Sequence, residues 1–148
     1  MMAAVAIAVV ANGMLASFGL ARRPPHEIWP AFAPPGPMIG AIWVVLFAAM
    51  GAARWAVLRH RGSHAKSDAR SIVALIALAL AYPFYTHFVG GYAIEFAGNI
   101  VTFVVASVIV MRCRDTIVAA VCVGAVAVWI GFATVLVGAL VALNGWYT

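Results

Sequence analysis

Five stretches of this chain, residues 2–20, 38–58, 71–89, 92–111 and 116–143, run apolar for about twenty residues or more with at most one charge each. A helix needs roughly 20 such residues to cross a hydrocarbon core about 30 Å thick. The runs are continuous rather than alternating, which favours helices over the strands of a barrel. Arg54 falls near the end of the second stretch, where a long side chain can reach the headgroups, and Glu95 near the start of the fourth. Of the 148 residues, 66% are hydrophobic and 9% charged, more apolar surface than a soluble domain of this size can hide. The expectation is an all-α integral membrane protein: one domain, residues 1–148, forming a five-transmembrane-helix bundle in a lipid bilayer.

Small residues follow the 2–20 stretch, as they do in a cleaved signal peptide, but no Lys or Arg precedes it, which favours a retained helix. Arg59, Arg61, Lys66 and Arg70 lie around the second loop, and Arg112 and Arg114 in the fourth; Arg22 and Arg23 fall on the opposite side. The positive-inside rule then puts the N-terminus in the cytoplasm and the C-terminus outside, in a bacterial inner membrane. The net charge of +5 is accordingly a topology signal first. Anionic lipid is a lesser reading of it, and nucleic acid is excluded as a partner, since no long basic cluster with interleaved aromatics occurs.

The first loop, residues 21–37, holds Pro24, Pro25, Pro30, Pro34, Pro35 and Pro37 together with Trp29 and Phe32. Fixed backbone angles and interfacial rings suit either a stiff lid or a plain membrane-surface anchor. The second loop, residues 60–70, reads as a solvated linker. Gly90-Gly91 leaves only a turn between the third and fourth stretches, so these must be antiparallel neighbours. Gly124, Gly131 and Gly138 recur at sevenfold spacing and read as a packing seam, while Ala77 and Ala81 form a small-residue pair suited to a homodimer. Cys113 and Cys122 have neither disulfide nor metal-ligand spacing and read as packing residues.

Catalytic and metal signatures are missing: there is no phosphate loop, no His-Glu-x-x-His and no nucleophile elbow. What the apolar stretches do contain is aromatic stripes. Trp43, Phe47 and Met50 share a helix face, and Trp129, Phe132 or Ala133, and Leu136 repeat the pattern. Tyr82 and Tyr85 adjoin His87, and Glu95, Asn99 and Thr102 form a polar face that lipid would penalise. Aromatic walls with a few polar contacts suit a flat apolar ligand, though such stripes also build ordinary bundle core. His87 and Glu95 flank the Gly90-Gly91 turn and read as a pair, with a proton relay as the alternative.

Pro34-Pro35 followed by Gly40, Trp43, Leu46, Phe47, Met50 and Gly51 resembles the start of the second helix in the translocator protein family, also called TspO/MBR or tryptophan-rich sensory proteins. WIGFATVLVGALVALN, ending at Asn144, resembles that family's last helix, and Pro83 in AYPFYTHF its third-helix proline. The matches run in order over roughly residues 30–144. Departures are Ala81 for a Trp, Leu78 and Val137 for Asn, and Ala125-Val126 for Pro-Tyr, so several polar groups of the family's pocket are missing. The family's cholesterol motif also fails, because nothing basic follows Tyr147.

The resemblance implies a five-helix bundle, often dimeric, that binds protoporphyrin, haem or other apolar ligands with the first loop closing over the pocket. Some bacterial members are implicated in light-dependent porphyrin breakdown involving Trp residues, of which Trp43 and Trp129 are retained here. The expected ligand-binding residues are Trp29, Phe32, Trp43, Phe47, Met50, Tyr82, Tyr85, Asn99, Trp129, Phe132, Ala133 and Leu136, with no catalytic residue, metal site or obligatory cofactor. The expected function is a membrane receptor or sensor for a tetrapyrrole. A small-molecule or porphyrin transporter using His87 or Glu95, and a structural bundle that recruits a partner through its glycine seam, are the alternatives.

Overall fold

A computed structural model describes residues 27–60 and 62–145. They form four helices long and apolar enough to cross a membrane, not five: α1 (Gly36–His60), α2 (Ala65–Val89), α3 (Tyr92–Arg112) and α4 (Ile117–Asn144). The expected 2–20 helix, Arg22, Arg23, Pro24, Pro25, His26, Arg61 and Tyr147 lie outside the described residues.

Each helix begins and ends where local chemistry allows. Pro37 sits in the first turn of α1, where its missing N–H costs nothing, and Pro35 O accepts from Met38 N at 2.9 Å. Two successive glycines with positive φ, Gly90 at 75° and Gly91 at 80°, make the α2–α3 turn, a geometry that residues with a Cβ rarely adopt. Gly90 N donates to Thr86 O as α2 closes, and the chain reverses directly into α3.

One expectation needs correction. Residues 65–70, read as part of a flexible linker, are the first turns of α2, so the connection shrinks to 61–64. Hydropathy could not reveal this, because what holds these turns is polar: Asp68 is buried at 8% exposure against Arg112 of α3. A carboxylate in the first turn also suits the helix dipole.

The helices form a ring in which each packs on its chain neighbours and α1 packs on α4. Because neighbours are antiparallel, the starts of α1 and α3 and the ends of α2 and α4 share one end of the bundle. The opposite end is solid. Met50, Ile72, Leu75, Ala106, Ala119, Val123 and Val126 are fully buried there, small and branched side chains that interdigitate. Outward faces carry exposed Val45, Val128 and Val135, as lipid-facing helices should. Three threonine hydroxyls on the helices are satisfied locally: Thr86, Thr102 and Thr134 each donate to the carbonyl four residues back.

The glycine seam is more specific than expected. A Cβ at Gly131 would lie 3.4 Å from the Phe103 ring and one at Gly138 3.9 Å from Phe96, so these glycines receive rings of α3 rather than a close backbone. Gly124 meets nothing within 4 Å. Ala77 and Ala81 face outward.

Cys113 and Cys122 are free. Cys113 is buried in the α3–α4 turn, where burial and the nearby Asp68 carboxylate push its thiol up against a smaller opposing pull from Arg112, leaving it a packing residue.

Candidate functional site

At the end away from the solid core the helices separate around a cavity of about 480 Å³, within the size range of small-molecule sites. Rings prop it open. Trp43 of α1 and Trp129 of α4 line it, each braced by a phenylalanine one turn away: Trp43 on Phe47 at 5.6 Å and Trp129 on Phe132 at 5.4 Å between ring centroids. Tyr82, Pro83 and Thr86 contribute the α2 wall, and Asn99 with Glu95 the α3 wall. Pro83 has no N–H to give the helix ladder, yet α2 continues through it.

Polar groups are few. Asn99 is 5% exposed, and its amide nitrogen is buried without a hydrogen-bond partner. Leaving such a donor unpaired costs about 1–3 kcal/mol, so a ligand acceptor that reaches it gains what the empty site forfeits. The hydroxyls of Tyr85 and Tyr92 are buried and unpaired as well.

The segment before α1 crosses this end and is tied to α4. Asn144, the last residue of α4, accepts from Ile28 N at 2.8 Å through Oδ1 and donates from Nδ2 to Ile28 O at 2.8 Å and to Leu140 O at 3.1 Å. One amide side chain thus pairs with a backbone as a neighbouring strand would. The clamp sets Trp29 against Tyr92, Val137 and Leu140 and into the cavity lining, its indole N–H donating to the Glu27 carboxylate. Phe32 meets the Phe132 ring edge-on at 6.3 Å. Asn144→Ala removes both bonds to Ile28, so a ligand held under this segment should escape about 30-fold faster, at roughly 1 kcal/mol net per direct bond. Stopped-flow displacement of a fluorescent apolar probe from the cavity measures this, and an unchanged off-rate would mean that the segment does not retain what the cavity holds.

Of the residues expected from sequence, Trp29, Trp43, Tyr82, Asn99, Trp129, Phe132, Ala133 and Leu136 are brought together around the cavity. Four are not. Phe47 and Met50 lie on the Trp43 stripe, but each helical turn descends about 5.4 Å, which carries them to the floor and into the solid core at 5% and 0% exposure. Tyr85 meets the Tyr82 ring edge-on at 5.6 Å between centroids but packs over Gly98 rather than on the cavity, and Gly98 has room for its ring only because it lacks a Cβ. Phe32 is half-exposed outside. Ile39, Pro83, Thr86, His87, Glu95, Val137 and Leu140 complete the lining. Helical spacing carries a signal for several of these: Ile39, Thr86, Glu95 and Leu140 each stand four residues from a wall residue already recognised.

His87 and Glu95 do not form the expected pair. The ion pairs among the described residues are Arg112–Asp68 and Arg114–Asp115, and both His87 and Glu95 line the cavity instead. Among the described residues no group of three His, Cys, Asp or Glu side chains could hold a metal ion.

The model of the TspO/MBR family matches residues 1–143. No curated protein matches the chain.

Proposed function

The chain belongs to the TspO/MBR family, and on that premise we propose that it is a membrane receptor or sensor that binds a tetrapyrrole, protoporphyrin or haem, or a similarly flat apolar ligand in the Trp43–Trp129 cavity. Membership itself supports a membrane sensor- or transporter-like role, and the four apolar helices make the chain an integral membrane protein. The observation that carries the finer reading is the pair of indoles that two neighbouring helices, α1 and α4, bring to one cavity, with an unpaired buried amide, Asn99, on its α3 wall. A conjugated macrocycle offers faces for the indoles and polar substituents for the amide. In this reading the 27–35 segment is the lid, the N-terminus is cytoplasmic, and the membrane is a bacterial inner membrane. Titrating the purified protein with protoporphyrin while following Trp fluorescence tests it. A saturable quench is expected, and a linear, unsaturating one would rule the site out.

A transporter reading has one observation in its favour: His87 and Glu95 both face the cavity rather than each other. An ionisable residue at membrane depth is costly and marks a ligand or proton path. If the protein couples protons to transport, Glu95→Gln abolishes uptake in proteoliposomes and leaves porphyrin affinity within about twofold. Undiminished uptake by that variant would remove the coupling.

A further inference from the structure

Between α1 and α2, at the solid end of the bundle, lies a second open cavity of about 480 Å³ lined by Arg54, Leu58, Lys66, Arg70, Val73 and Ala77, together with buried Ala69 and exposed Ala74. Three of these are cations, and none is matched. The chain has four acidic residues in all, Glu27, Asp68, Glu95 and Asp115, and none lines the groove. Asp68 is committed to Arg112, Asp115 lies beside Arg114, Glu27 accepts from Trp29 and Glu95 lines the other cavity. Like charges brought together without a counter-charge repel, and a like-charged cluster between membrane helices calls for an anion.

Depth and lining say which anion. At 1.5 Å per residue Arg54 lies about 9 Å in from the His60 end of α1, and Arg70 about 7.5 Å in from the Ala65 end of α2, so the two sit at matching depth on antiparallel neighbours. Leu58, Val73 and Ala77 are exposed apolar surface in the same groove. Trp55, 57% exposed with the Arg59 guanidinium 4.8 Å over its ring, marks this end as lying at the membrane interface. A second copy of the chain docked here about a twofold axis would set three cations against three. The geometry points to an anionic phospholipid, its phosphate held by Arg54, Lys66 and Arg70 and an acyl chain running inward along Val73, Ala74 and Ala77. A zwitterionic lipid brings its own cation into the cluster, and a free phosphate leaves the apolar half of the groove uncovered.

Native mass spectrometry on the full chain, released from mixed phosphatidylglycerol and phosphatidylcholine nanodiscs, tests the site. One phosphatidylglycerol per chain is retained in preference to phosphatidylcholine. Arg54→Gln and Arg70→Gln each lower its apparent affinity about fivefold, and with Lys66→Gln the losses multiply. Arg59→Gln, on the same interface but outside the groove, leaves the affinity unchanged. These side chains are exposed, and circular dichroism of each variant shows whether the helices persist. Equal retention of phosphatidylcholine, an equal loss in Arg59→Gln, full displacement of the lipid by millimolar inorganic phosphate, or a shift in dimer population without loss of lipid would each overturn the assignment.

Discussion

Trp43→Ala and Trp129→Ala should each weaken protoporphyrin binding about 30-fold, and together they should abolish a measurable quench. The size follows from what an indole wall does. A ring that covers a ligand face contributes its buried area, and stacking adds about 0.5–1.5 kcal/mol beyond that area. About 2 kcal/mol per ring is the magnitude expected of a well-packed aromatic anchor, and it corresponds to the stated factor. Both rings are partly buried and line the cavity instead of filling the solid core, so the helices should survive their loss. Trp55→Ala is the matching control: the same residue type, on the outer surface at the other end, expected to leave the titration unchanged. Affinity that survives both cavity substitutions would move the ligand elsewhere or remove it.

That the two indoles face one space was partly legible beforehand. Apolar windows gave α1, α3 and α4 to within two residues at each end but started α2 six residues late, and helical spacing put Trp43 on one stripe and Trp129 on another. What spacing could not supply was depth. Trp43, Phe47 and Met50 satisfy the same periodicity, yet only the first reaches the cavity, because where the bundle opens depends on residues from all four helices at once. Aliphatic Ile72, Leu75, Val123 and Val126 close one end, and rings from α1, α2 and α4 hold the other apart. The Asn144 clamp was hidden for a related reason. Its partner is the backbone of Ile28, 116 residues away, and a backbone group leaves no trace in the identity of its residue. Pro83 and the Leu143-Asn144 ending were legible only through the family resemblance, whereas Thr86 and Leu140 could have been read from the four-residue spacing.

The polar start of α2 was misread because charge was taken as a sign of solvent, and the same residues yield the largest stability effect expected for this chain. Arg112 Nε and Nη2 both reach Asp68 Oδ1, at 3.0 and 2.8 Å, and Nη2 also donates to Ser67 Oγ at 2.9 Å. The two partners are not equivalent: the Asp68 side chain is 11% exposed and that of Arg112 43%. Removing Arg112 therefore strands a largely buried carboxylate, at a cost of about 3 kcal/mol, the low end for a broken buried pair. Removing the Asp68 charge leaves a guanidinium that can turn toward headgroups, and should cost nearer 1 kcal/mol. Arg112→Gln should thus lower the melting temperature in detergent well beyond Asp68→Asn. The double variant should be more stable than Arg112→Gln alone, because no buried charge is left unpaired. Strict additivity of the two substitutions would mean that the pair is not what holds the first turns of α2, and that the chain between α1 and α2 orders for another reason.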